Sequence, residues 1–340
     1  MAGLKILSCG AHASIQDFGR PGYLAQGLSK SGAADCLALE EGAVLLGQVS
    51  GDGALEMAGF GGVFQAQGDI KIALTGAPMN AELDGTPVAW NAAHHLPDGA
   101  ILRLGGVRAG TYAYLSVGGG FDTEVFLKAR AAHRAIGIGE ALAAGATLPI
   151  GPYEKPFIRQ KLEVDDRFQG GSIHIVASVQ TDLFSPAERA RFENTIFTRD
   201  IRANRMGIKL DFEGAPFQIS NQLKILSEII VPGDIQMTGD GRPFVLMPEC
   251  QSTGGYPRIG TVLPSDLPKI AQAGLDAPIT FKFLSLEQAL EYENRYTERV
   301  SQLSDRLHPL LQDPYKMNNL LSLQLIGGVV SAFDAGDAKQ

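Results

Sequence analysis

The sequence predicts a mainly β protein made of two β units, with short helices and a helical C-terminal segment. Three observations carry that expectation. Short β-prone runs recur at close spacing over residues 54–150 and again over 172–283, separated by turn signals such as Asp84-Gly85 and Asp98-Gly99. Forty-one glycines exceed average usage and suit many tight turns. Helical periodicity is confined to a few short stretches. Strands at this density read as a barrel or a sandwich. A chain of 340 residues can hold two cores. Residues 151–171, with two prolines, mixed charge and paired glycines, read as the connector. The expected division is 1–160, 171–284 and a helical extension over 285–340.

Taken in order, residues 4–7 open with a strand. A polar, glycine-punctuated loop follows over 14–23. In it, Arg20 carries a fork of donors suited to a carboxylate or phosphate, or to a structural salt bridge. Ser31 or Gly32 is expected to cap a helix reaching residue 46. Asp35 lies near its positive end, where it would stabilise the helix. Strands are expected at 70–74, 88–90, 101–104 and 111–117.

In the second unit, residues 172–179 alternate as its first strand. Ser185-Pro186-Ala187-Glu188 is a capping box with proline at the first helical position, so a helix should run to about residue 194. Arg205 either holds a ligand anion or pins two loops together. Residues 235–238 and 244–247 flank Gly239-Asp240-Gly241-Arg242-Pro243, which has hairpin turn chemistry. The loop over 251–257 holds paired glycines, Gly254 and Gly255, which let a backbone come close to a neighbour or a ligand. Glu228, Gln236, Gln251, Thr253, Tyr256 and Arg258 offer polar groups around it. Residues 259–263 form a strand ending at a short segment, 266–272, and 279–283 close the unit. Ser285 and Gln288 open a helix whose apolar stripe runs through Leu286, Ala289, Tyr292, Tyr296, Val300, Leu303 and Leu307. Residues 317–333, rich in leucine and valine and broken by Gly327-Gly328, are expected to pack against the barrel or a partner chain.

Composition excludes several functions. Twenty-nine basic against 37 acidic residues give a net charge of −8, the wrong sign for a nucleic-acid binder. Three cysteines, Cys9, Cys36 and Cys250, cannot all pair and none lies in a C-x-x-C, so free thiols in a reducing compartment are expected. Cys250 is read as a buried thiol rather than a nucleophile. The sequence has neither a signal-peptide pattern nor about 18 consecutive apolar residues, so a cytoplasmic location without membrane contact is expected. His94 and His95 are adjacent and would face opposite ways on a strand, and the other histidines are scattered. No metal site is expected. There is no G-x-x-x-x-G-K-[ST], H-E-x-x-H or G-x-S-x-G.

The runs SEIIVPGDIQ (227–236), GDGRP (239–243) and QSTGGYPRIGTVLPSDLPKIAQ (251–272), with QDFGRPG (16–22), SGAAD (31–35) and NRMG (204–207), resemble one family. It includes the carboxyltransferase region of urea carboxylase, often called allophanate hydrolase subunit 2. It also includes the C subunit of the bacterial ATP-dependent 5-oxoprolinase, the KipI antagonist. The resemblance covers roughly 4–290. One stretch departs: where relatives carry a G-S-R-S-T-like run, this chain keeps Arg130 but has Ala129, Ala131 and Ala132 around it. A downstream glycine-rich G-R run is replaced by residues 136–142.

The resemblance implies paired cyclophilin-like β-barrels. It also implies a polar constellation suited to a small planar amide such as 5-oxoproline or urea, which needs donors for the carbonyl and acceptors for N–H. Asp35, Glu228 and Tyr256 are the expected catalytic groups, with Asp35 or Glu228 a general base if burial raises its pKa. Arg20, Ser31, Arg130, Arg205, Gln236, Gln251, Thr253, Gly254 and Gly255 are the expected substrate-binding positions. The leading function is a subunit of ATP-dependent 5-oxoprolinase, opening the lactam to glutamate. It would pair with the KipI-like B subunit of that enzyme and work with its separate A subunit, and its ATP site would be shared with a partner. The alternatives are a carboxyltransferase component taking carboxybiotin from another protein to urea or a similar amide, and a non-catalytic binder of a KipI-like kinase inhibitor.

Overall fold

The computed structural model describes residues 2–219 and 226–310. The chain is mainly β, as expected. Two sheets pack face to face in the first half. One joins, in spatial order, Thr147–Pro149, Gly3–Cys9, Phe60–Gln67, Ile101–Val107, Met79–Leu83 and Thr86–Pro87. The other joins Ser14–Gln16, Ala54–Ala58, Tyr112–Val117, Ile70–Gly76, Ala92–Leu96, Gln160–Leu162 and Leu307–Pro309. Alternation along each strand aims Leu4, Ile6, Phe64 and Leu102 at Leu55, Ile72, Leu74 and Leu115, all fully buried. Each such side chain contributes about 1.5–3 kcal/mol.

The third sheet joins Thr198–Arg199, Gly207–Asp211, Pro243–Leu246, Asp234–Met237, Arg258–Val262, Gly171–Val176 and Ile279–Phe283. The hairpin expected around Gly239–Pro243 is present, with Ile235 opposite Val245. The last two strands run parallel, Ser172 opposite Thr280. Behind the sheet, Phe192 stacks on Phe281 with ring centroids 4.9 Å apart, and Phe197 meets both. This second core continues into the first half through Ala33, Ala34, Ala38, Tyr112 and Tyr114, so the loop before the first helix is wedged between the halves.

That helix, α1 (Cys36–Leu45), starts later than the sequence suggested. Ser31 and Gly32 do not cap it. Both hold left-handed φ, 55° and 95°, and a Cβ on Gly32 would lie 2.8 Å from the Gly19 nitrogen. Asp35 is the cap, its Oδ1 accepting from the Ala38 N–H at 3.2 Å. Residues 88–90 are not a strand either. The Trp90 indole turns to donate to the Gly76 carbonyl, and Asn91 takes a left-handed turn into Ala92–Leu96.

Helix α2 (Pro186–Asn194) is capped by Ser185, but Glu188 reaches Arg191 and the Gln218 N–H instead of closing the box. A short α3 (Leu267–Gln272) follows Arg258–Val262. Helix α4 (Leu286–Ser301) opens with the full capping box. Its stripe departs at Leu286, which is exposed. After α4 and a 3₁₀ turn over Leu303–Arg306, Leu307–Pro309 returns to pair with Gln160–Leu162 at the edge of a first-half sheet. Residues 317–333 lie outside the described residues.

Candidate functional site

Loops from both halves meet along a cleft with two lobes. The first, about 530 Å³, is lined by His12, Thr111, Tyr112, Arg134 and Asn204–Met206 among others. The second, about 470 Å³, is lined by Gly27, Ser29, His133, Ile136 and Cys250–Thr253. Ala135, Met206 and Glu249 belong to both and form the waist.

Arg205 fixes that waist. Its Nε donates to Glu249 Oε1 at 2.7 Å, its Nη2 to the Gly32 carbonyl at 2.6 Å, and its Nη1 to Glu56. Of the two readings open at Arg205, loop pinning is thus realised, and the residue also lines the first lobe. Burial alone would lower its pKa, but Glu56 and Glu249 outweigh burial and hold it raised, so the guanidinium stays charged. Glu56 is further held by the Tyr114 hydroxyl at 2.7 Å and the Ala34 N–H at 2.9 Å.

The floor of the cleft is a zipper between residues 14–34 and 129–133. Asp17 accepts from the Gly19 N–H at 2.7 Å and the Arg130 N–H at 2.6 Å. Gln16 and Ser31 donate to the Ala132 carbonyl at 3.1 and 2.8 Å, and Arg20 donates to the Ala131 carbonyl. Ser31 also reaches the second half, its N–H donating to the Pro248 carbonyl at 2.9 Å. Left-handed backbone at a serine is strained, and these contacts hold it in place.

The expected constellation is therefore split. Arg20, Ser31, Arg205, Gln251 and Thr253 gather at the cleft or directly beneath it. Asp35 does not. It is fully buried, and its Oδ2 is taken by Arg167 Nε at 2.7 Å and Gln272 Nε2 at 2.8 Å. A carboxylate with both oxygens engaged and no exposure cannot reach a substrate, so capping and cross-bracing are its roles. Glu228 lines neither lobe: its carboxylate is held by Gln180 at 2.9 Å and Arg258 at 2.6 Å. Arg130 turns to Asp122 at 3.2 Å, away from both lobes. Gln236 is buried beneath the glycine loop, where a Cβ on Gly254 would sit 2.5 Å from its Nε2. A side chain at 254 would push the Gln236 amide aside. Gly255 and Tyr256 are exposed beyond it.

Three groups at the site were missed: Glu249, Glu56 and His133. Glu249 sits one residue before Cys250, in a segment read only for its thiol. Glu56 lies in a strand, and nothing local distinguishes it. His133 was counted among scattered histidines, although it follows the departing 128–132 run. Burial lowers its pKa, so the imidazole is neutral near pH 7. Cys250 is buried as expected, its thiol pushed up to about 12 by burial. Among the described residues no cluster of three or more metal-ligating side chains occurs, and no helix is long and apolar enough to cross a membrane.

The chain has counterparts among known proteins. The family model described as carboxyltransferase domain, subdomain A and B, matches residues 26–283. The 5-oxoprolinase C subunit of Escherichia coli strain K12 is 31% identical over 309 residues, covering 90% of this chain and 99% of that protein. Its Haemophilus influenzae namesake is 30% identical over 309 residues, covering 89% and 99%. Among solved structures, Kluyveromyces lactis urea carboxylase superposes with a TM-score of 0.79 at 23% identity, over 92% of this chain and 31% of that one, a likeness of fold.

Proposed function

This chain belongs to the family of carboxyltransferase domains with subdomains A and B, and from that premise we propose that it is one component of an ATP-dependent 5-oxoprolinase. The reaction is lactam C–N hydrolysis giving glutamate, carried out with partners like the B and A subunits of that enzyme. The observation that supports this most is the waist of the cleft. Glu249 stands there between two lobes large enough for a small amide and a second reactant, paired with Arg205 of the first lobe, and two relatives of nearly the same length are named as the C subunit of 5-oxoprolinase.

In this reading Gln251 and Thr253 meet the amide, offering donors to its carbonyl and acceptors to its N–H. Arg205 stabilises negative charge that develops on the carbonyl oxygen. Glu249, rather than Asp35 or Glu228, is the carboxylate placed to move a proton. ATP transfers its γ-phosphoryl group to the amide oxygen and leaves as ADP. Water then attacks the activated carbonyl carbon, the C–N bond breaks to free the amine of glutamate, and phosphate departs. In this reading the ATP site is either an unconventional one or shared with a partner.

A second reading, carboxyl transfer from a biotin on another protein to urea or a related amide, draws on the family description itself. The test reconstitutes the purified chain with candidate A and B subunits and ATP. Glutamate from 5-oxoproline and carboxylated urea from urea plus carboxybiotin are assayed separately. Glutamate release that needs every component and ATP is expected, and Glu249→Gln should lower it at least a hundredfold. Biotin-dependent urea carboxylation without glutamate would replace the first reading by the second.

A further inference from the structure

Unpaired buried polar atoms concentrate at one place. Among the described residues, Arg20 Nε and Nη1, Ser29 Oγ, His133 Nδ1 and Gln16 Oε1 are all buried without a hydrogen-bond partner. Each belongs to a side chain at most 5% exposed. All five adjoin the floor segment or the lobe above it: Gln16 and Arg20 donate to the Ala132 and Ala131 carbonyls, and Ser29 and His133 line the second lobe. Arg20 has no carboxylate within ion-pair distance among the described residues. Its pKa is lowered by burial, against the pull of Asp17 and Glu249. Leaving such groups unpaired is costly, most of all for a charge, so an occupant that meets them is favoured.

The geometry points to a seat for a small carboxylate-type oxyanion at the floor of the second lobe, held by Arg20, Ser29 and His133. Arg20 supplies charge-assisted donors. Ser29 and His133 line the wall of that lobe with Oγ and Nδ1 buried behind its surface, so filling the seat requires both side chains to rotate about their own bonds. Gln16 Oε1 adds one acceptor, which selects among oxyanions. It suits a carboxylate with a neighbouring N–H, as in a lactam acid, or bicarbonate with its single O–H. The seat rests on the reading of the cleft as a substrate site, so it is tested by binding and not by turnover.

The probes are 5-oxoproline, its uncharged analogue 2-pyrrolidinone, and bicarbonate, titrated calorimetrically into the full chain alone and with its partner subunits. At least tenfold tighter binding of 5-oxoproline than of 2-pyrrolidinone is expected. Arg20→Gln, His133→Phe and Ser29→Ala should each erase most of that difference while leaving 2-pyrrolidinone unchanged. Bicarbonate that competes with 5-oxoproline assigns the seat to the substrate carboxylate. Bicarbonate that binds alone, at a site the same variants abolish, assigns it to a free anion. Should Arg20→Gln fail to fold, the other two variants carry the test. Equal binding of 5-oxoproline and 2-pyrrolidinone together with no bicarbonate binding overturns the seat, as does wild-type oxyanion binding in both Ser29→Ala and His133→Phe. A chain that binds the oxyanion yet yields no glutamate overturns the proposed reaction and leaves the seat standing.

Discussion

Arg205 shows how much one side chain can hold. It joins Glu56 of the first half, the Gly32 carbonyl of the interposed loop and Glu249 of the second half. Removing it leaves the buried Glu56 and the partly buried Glu249 without their shared counter-charge. Arg205→Ala should cost about 3–5 kcal/mol in denaturant unfolding. Arg205→Lys should recover only part of that, because one ammonium cannot span three acceptors lying in different directions. His94 makes a different residue-scale case. Burial lowers its pKa, partly offset by its bond to the Ala89 carbonyl at 2.7 Å. The unfolded chain takes up this proton near pH 6.5, and the folded chain only at lower pH. The stability difference is therefore absent above about 6.5 and grows against the folded state as pH falls below it. His133 acts in the same direction. The urea midpoint should fall between about pH 7.5 and 5.5, and His94→Gln, which keeps a donor for Ala89, should flatten that fall. An unchanged slope would rule His94 out as a contributor.

At the scale of elements, local chemistry is legible where the chain obeys it. The full box at Ser285 and Gln288 starts α4, and Ser185 with Pro186 starts α2. The tight turn Phe126 to Ala129 disobeys it. The two ends exchange backbone hydrogen bonds at 2.9 and 3.1 Å, and both central residues, Leu127 and Lys128, hold left-handed φ of 50° and 65°. Such a turn favours Asn-Gly, and long side chains there carry a steric cost. The double change Leu127→Asn and Lys128→Gly should raise stability by about 1 kcal/mol, read as a higher Tm. An unchanged or lowered Tm would mean that the strain is relieved elsewhere.

Across the whole molecule, the halves are braced by buried polar contacts as well as by the shared core. Arg167 of the connector bonds Asp35 at 2.7 Å and grips Glu41 with both terminal nitrogens, at 2.7 and 2.8 Å. Gln272 of α3 bonds Asp35 and the Tyr112 carbonyl, at 2.8 and 2.7 Å. The Asp35 N–H donates to the Tyr114 hydroxyl, which donates to Glu56, the partner of Arg205. One hydrogen-bonded path thus runs from the connector to the waist of the cleft. Arg167→Ala should destabilise by about 3–5 kcal/mol. In a double-mutant cycle with Gln272→Ala, a coupling of about 0.5 kcal/mol or more is expected, since both partners share Asp35. Additive losses would mean that the two braces act separately.

The sequence by itself determined what neighbours along the chain decide. The hairpin around Gly239–Pro243, the caps of α2 and α4 and the burial of Cys250 follow from turn residues, capping hydroxyls and apolar context. It also carried the motifs that mark Arg20, Ser31, Arg205, Gln251 and Thr253. Tertiary structure alone decided which of these meet. Asp35 binds Arg167 across 132 positions and Gln272 across 237, and Arg205 binds Glu56 across 149. No periodicity or spacing encodes such pairs, because a charge's partner is set by how the sheets stack. The same stacking withdrew Asp35 from the cleft and put Glu249 and His133 into it.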